Sequence, residues 1–371
     1  MSQQPLSGIR VLDFSTLLPG PMASLMLAEA GAEVIKVERP RTGEELRHYQ
    51  PRWGREAVAF SVLNRGKKSI TVDLKDLSAR KRLVPLIRGA DIVLEQFRPG
   101  VMERLGLGYE TLKVLNSRII YCSITGYGAT GAKASVAGHD LNYIGDTGVL
   151  SLSMGSQQQP VIPPVLIADL AGGTYPAVVN ILLALLGREK TGQGTHLDIA
   201  MTDNVFMLTY WASAAGNLNG DWPKNGGELL TGGSPRYQLY PTNDDKFVAV
   251  AALEDKFWQT FCQLIGYRDD SSSAQETILE VAAIIATQTA QHWRNLFTGQ
   301  DCCCSVVASL EQAMDDPHFK SRGLFDYRLS NEQGDELPAL PMAVAPQFRG
   351  DVDAAKSAPA LGADNDEFLK G

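Results

Sequence analysis

Apolar residues recur along the chain in two alternating rhythms. Short runs such as Ile9–Ser15 (IRVLDFS), 32–38 (AEVIKVE), 68–74 (KSITVDL), 91–97 (DIVLEQF) and 118–128 (RIIYCSITGYG) predict buried strands. Between them, 22–31 (MASLMLAEAG) and 79–90 (ARKRLVPLIRGA) predict helices, the first stopping at Gly31. Strands spaced by helical crossovers predict a parallel sheet, hence an α/β fold with a Rossmann-like core. No GxGxxG follows the first strand, so a nicotinamide or flavin cofactor is not expected. From Leu166 to about Gly187 a long apolar helix is expected, then a strand in THLDIAM and a further helix.

The grammar changes after residue 216. Residues 217–236 are rich in Gly, Asn and Pro, which predicts a connecting loop. RYQLYPTNDDKFVAVAAL then predicts a hairpin turning at Asn243-Asp244-Asp245, followed by the helix DKFWQTFCQLIG. The expected division is a large Rossmann-like domain over 1–215, a smaller α+β domain over 220–325, and a segment 326–371 that returns to the large domain. The tail beyond 355 is polar and is expected to run over the surface.

Composition narrows the function classes. The chain has 371 residues, 44% hydrophobic and 20% charged, as expected of a globular protein with room for two domains. A net charge of −8 argues against nucleic acid or an anionic membrane as partner. The opening MSQQPLSGIRVLDFS lacks a charged-then-apolar leader, and no run of about 18 apolar residues is read. The expected location is therefore the cytoplasm, with no bilayer span. The five cysteines, Cys122, Cys262 and the run Cys302 to Cys304, form neither a disulfide framework nor a zinc spacing. No bound metal is expected, and the run reads as buried or incidental.

Among five histidines, His48, His292 and His318 lie in polar surroundings, and His196 reads as a structural strand residue. His139 differs, because it follows a glycine-rich loop after a core strand, where α/β folds place their sites. Asp169 stands between an apolar run and a helix. It reads as an N-cap, a base or a nucleophile, and these roles are compatible. Glu254 closes a strand and opens a helix, either as a capping acid or as a site residue. Arg39, Lys67, Lys68 and Arg98 each stand near a strand end, which suits a phosphorylated ligand in an otherwise acidic chain.

Several segments carry a resemblance. GIRVLDFSTLLPGPMASLMLAEAGAEVIKVERP, LNRGKKSITVDLK, DIVLEQFRPGVMERLGLG, GHDLNY, IADLAGGTYPAVVNILLALLGREKTGQGTHLDIAM and AALEDKFW resemble the family III CoA-transferase superfamily over residues 8 to 345. That superfamily holds CaiB/BaiF-type transferases and α-methylacyl-CoA racemases. The resemblance implies an interlocked homodimer and an acyl-CoA substrate, with coenzyme A entering as part of that substrate and no permanent cofactor. It implies catalytic roles for His139, Asp169 and Glu254. In a racemase, His139 and Asp169 flank the α-carbon while Glu254 orients His139. In a transferase, Asp169 attacks the thioester and becomes an aspartyl-CoA thioester. The GHDxNY pattern, with Gly138, Asp140, Asn142 and Tyr143 bordering the thioester, leans toward racemisation, and CoA transfer is the alternative. The same resemblance places Arg39, Leu63, Asn64, Lys67, Glu95 and Arg98 in the CoA-binding set.

Overall fold

The computed structural model describes residues 4–270, 273–352 and 354–369. The first unit takes in residues up to 147, 164–207 and 321 onward; the second takes in 148–163 and 208–320.

The first unit opens with β1 (Arg10–Asp13), α1 (Pro19–Glu29) and β2 (Glu33–Glu38). After α2 (Val58–Asn64) come β3 (Lys68–Thr71), β4 (Ile92–Glu95), β5 (Ile120–Thr125) and α3 (Asp140–Asp146). A π-helical turn, Ala168–Thr174, runs into α4 (Tyr175–Thr191), and β6 (Thr195–Ala200) follows. Among the described residues these six strands form one sheet in the order β3-β2-β1-β4-β5-β6, every neighbour parallel. The Rossmann-like α/β expectation is met, in the strand order of a dinucleotide-binding fold. Order reverses between β1 and β4, so the loops beyond their carboxyl ends splay apart and leave a crevice.

Burial explains the strand sequences. All of β4 and β5 is buried, as expected where helices cover both faces of a parallel sheet. One face packs Leu12, Ile35, Ile70, Val93 and Tyr121 against Leu83, Leu86, Met102 and Leu112. On the other lies α1, whose residues are buried nearly all round because α2 and α4 pack beside it. It starts at Pro19, earlier than the apolar rhythm suggests, since proline suits a first helical turn. The expected helix 79–90 is two short ones, Leu77–Lys81 and Val84–Arg88, the second beginning around Pro85.

One reading needs correction. Over Ala168–Thr191 a helix is long and apolar enough, by length and composition, to cross a bilayer, contrary to the expectation from unbroken apolar runs. Its inner face, including Ala177, Val178 and Ile181, packs on β5, β6 and α1, while Arg188 pairs with Asp91 at 2.9 Å. The cysteine run is not uniformly buried. Cys302 is enclosed, Cys304 half-buried and Cys303 exposed with φ 50°.

In the second unit, β7 (Tyr237–Pro241) and β8 (Phe247–Ala251) form the expected hairpin. Beyond it come α5 (Asp255–Ile265), α6 (Ala274–Ile285), α7 (Ala290–Phe297) and β9 (Cys304–Val306), which pairs with β8. Tyr240, Val248, Val250, Trp258, Phe261 and Trp293 fill its core. The chain then returns to the first unit, where β10 (Arg328–Ser330), β11 (Glu336–Pro338) and β12 (Lys356–Ser357) form a small sheet.

Candidate active site

Two cavities open in the first unit on either side of the carboxyl end of β1. The first, about 450 Å³, has an apolar floor of Phe14, Val37, Val72, Leu74 and Leu105, rimmed by Arg39 and Lys75. The second, about 440 Å³, is bordered by the loops after β1, β4 and β5 and by the segment leading into α3. Both lie at the switch point, and Thr16 and Phe97 line both. Each has the size of a small-molecule site.

His139, Asp169, Gly138, Asn142, Tyr143 and Arg98 all line the second cavity. His139 is exposed and occupies the N-cap position of α3, its own amide donating to Asn142 Oδ1 at 3.1 Å. Asp140 is buried, and its Oδ1 accepts the Asp169 amide at 3.0 Å. The start of α3 is thereby tied to the start of the π-turn, which brings His139 and Asp169 to one wall. Tyr143 donates its hydroxyl to the Gly138 carbonyl at 2.5 Å and fixes the entry to the helix. Its ring lies against Gly126 and Gly138, where any Cβ would come within 2.4 Å and 2.7 Å of it.

Asp169 is not the N-cap suggested by its sequence position. Ile167 holds that place, and Asp169 sits inside a wide turn of a kind often found at functional sites. Gly172 allows the turn, because a Cβ there would meet the Met201 carbonyl oxygen at 2.4 Å. Burial pushes the Asp169 carboxyl up to about 7, and the negative charge of Asp140 adds to the rise. Burial likewise raises the Tyr143 hydroxyl, with Asp169 contributing.

The basic residues divide. Arg39 is exposed on the rim of the first cavity, paired with Glu45 at 2.7 Å, and Arg98 is exposed at the second. Lys67 has no exposed side chain. Its ammonium donates to the Pro21 carbonyl (2.9 Å), Ser24 (2.8 Å) and Asn64 (2.9 Å) and faces Asp13 at 3.3 Å. A direct phosphate contact expected from Lys67 is therefore corrected, since the enclosed ammonium is already satisfied. Burial lowers its pKa to about 8, with Lys36 adding to the fall and Asp13 opposing it. Asn64 and Leu63 are buried beside the same region and line neither cavity. Glu95 is also enclosed, beneath the loop it precedes. Glu254 belongs to the second unit, exposed at the N-cap position of α5 with no side-chain capping bond.

The loop after β1 is held by charge. Asp13 Oδ1 accepts the Ser15 amide at 2.9 Å, Lys36 donates to the Ser15 carbonyl at 2.9 Å, and Glu44 accepts the Leu17 amide at 3.1 Å. Leu17 adopts φ 63°, an uncommon conformation for a non-glycine residue, which this enclosing network maintains. Thr16, Lys75, Gln96, Tyr127 and Met201 also line the cavities. They were not among the candidates from sequence; the available signal was position at or just beyond the carboxyl end of a predicted core strand.

A carboxyl raised toward neutrality and an imidazole thus line one cavity at the switch point of a Rossmann-like sheet, beside a second, more apolar cavity. The family model CoA-transferase family III matches residues 6–365, and the chain belongs to that family. It is 33% identical to the α-methylacyl-CoA racemase of Homo sapiens over 98% of this chain and 92% of that protein. It is 34% identical to the succinate–glutarate CoA-transferase of Agrobacterium fabrum over 91% and 88% respectively. The crystal structure of Rv3272 from M. tuberculosis superposes with a TM-score of 0.82 at 31% identity, covering 98% of this chain and 99% of that one.

Proposed function

We propose that the chain is a 2-methylacyl-CoA racemase or epimerase. The observation that carries this reading is the shared cavity of His139 and Asp169, with Asp169 held near 7. A group that must be base toward one enantiomer and acid toward the other works best with a pKa near ambient pH. A pure nucleophile gains nothing from being half protonated. In the proposed reaction one of the pair takes the α-proton, and the C–H electrons move onto the thioester oxygen to give an enolate. The other returns a proton to the opposite face, so the product differs only in configuration. The resemblance assigns Glu254 to the orientation of His139.

In this reading coenzyme A would lie across the two cavities, its nucleotide over the apolar floor rimmed by Arg39 and Lys75 and its pantetheine arm passing Thr16 and Phe97, which line both, toward Asp169. A homodimer is part of the same reading. Tyr175, Val179, Leu182, Leu183 and Leu186 form an exposed apolar stripe on α4, of the kind a second copy covers.

CoA transfer between carboxylic acids is the second reading, favoured by the family's transferase members such as the Agrobacterium fabrum enzyme. Asp169 would then attack the thioester carbonyl and expel CoA as thiolate. The thiolate would attack the resulting anhydride at the aspartyl carbonyl, releasing the acid and leaving an aspartyl-CoA thioester. Proton NMR with 2-methylacyl-CoA in D₂O tests the two. Loss of the α-proton signal without any acid acceptor is the expected result. A new CoA ester formed only when succinate or another free acid is added, with no exchange, would replace racemisation by transfer.

A further inference from the structure

Glu95 is a buried carboxylate that the proposed chemistry does not use. It ends β4 at the switch point, 6% exposed, and lines neither cavity. Its Oε2 accepts the Phe97 amide at 2.8 Å, so it folds the chain back on itself immediately before the cavity wall. That wall is the segment Gln96 to Pro99. Phe97 lines both cavities, and Gln96 and Arg98 line the second. Gln96 Oε1 in turn accepts the Gly20 amide at 3.1 Å, tying the segment to the first turn of α1.

We propose that Glu95 is a positioning residue whose charge locks the Gln96–Arg98 segment against acyl-CoA, making ligand affinity dependent on pH. The inference rests on the acyl-CoA reading of the two cavities. A carboxylate accepting an amide forms a stronger, shorter bond than a neutral acid does, so loss of the charge loosens the segment. The groups facing Glu95 set when that occurs. Burial pushes its carboxyl up to about 7; the Ser123 hydroxyl and the Phe97 amide pull it down, and Glu103 and Asp198 add to the rise. Tyr121, enclosed on β5, carries a hydroxyl without a hydrogen-bond partner and stabilises no charge there. Ser123 Oγ also lies 3.1 Å from Nε2 of His196, an exposed residue on β6. The chain Glu95–Ser123–His196 therefore links the buried carboxyl to solvent.

Calorimetric titration of the full-length protein with coenzyme A at pH 6, 7 and 8 provides the test. The 3′-phosphate of the ligand titrates in the same range, so the readout is the difference between wild type and Glu95→Gln. Wild type should tighten by about fivefold more than E95Q between pH 6 and 8, the ratio expected between a charged and a neutral acceptor. Ser123→Ala, which removes a hydroxyl that lowers the Glu95 pKa, should move the midpoint of the wild-type dependence to higher pH. Parallel curves for wild type and E95Q would overturn the role, as would an unmoved midpoint in S123A. Absence of any CoA binding by the wild type would overturn the acyl-CoA reading itself, and the role with it.

Discussion

Asp169 owes its raised pKa to two causes of different kinds, partial burial and the carboxylate of Asp140. Asp140 cannot move away, because it also accepts the Asp169 amide. In racemisation one proton is shared between two flanking groups, so only the singly protonated pair turns over and kcat/KM against pH is bell-shaped. Asp140→Asn should shift the Asp169 limb to lower pH, while a transferase would show a single rise to a plateau. Asp169→Asn should abolish turnover, and a variant that keeps activity would remove the site assignment. Stability responds with the opposite sign. The folded-state pKa is raised, so between the unfolded value near ~4 and about 7 the native protein binds more protons, and stability falls as pH rises through that window. Thermal scans should therefore show D169N gaining Tm over wild type at pH 8, with the gain shrinking toward pH 4.

Elements were legible where a simple period governs them. The strands of the central sheet and the β7–β8 hairpin follow from apolar runs and turn residues, with ends displaced by at most three positions. The π-turn was not legible, because its cause is a long-range contact: Gly172 approaches the Met201 carbonyl too closely for any side chain. Gly172→Ala should cost about 1–3 kcal/mol through overpacking, read as a lower Tm with reduced activity. Pro85 divides a stretch that propensity alone reads as one helix. Lys67 shows another limit. A lysine after a helix and before a strand has the sequence context of a phosphate ligand, yet its depth is decided by Asp13 and Ser24, from elements far away in the chain.

For the whole molecule, the sheet order is the property that makes a site. Reversal between β1 and β4 creates the crevice, and the loops beyond those strands supply Thr16, Phe97 and Arg98. The position of the crevice was legible in the strand–helix alternation, and His139 with Asp169, which line one cavity there, stood out as candidates in the motifs that carry the family resemblance. The division of basic residues between rim and interior was not, because residue type records charge without recording enclosure. The stripe on α4 belongs to this scale too. Sedimentation velocity should find a dimer, and Leu183→Asp, which buries a charge if that stripe is covered, should shift the protein to monomer.

The turn after β1 has a consequence for how a nucleotide is held. In dinucleotide-binding folds this turn offers bare backbone amides to a pyrophosphate. Here the Ser15 and Leu17 amides are already taken by Asp13 and Glu44. The Ser15 and Leu17 amides of the generic nucleotide cradle are closed off by the chain's own carboxylates, so the pyrophosphate of any nucleotide bound here, that of coenzyme A included, must be met by side chains rather than by those two amides.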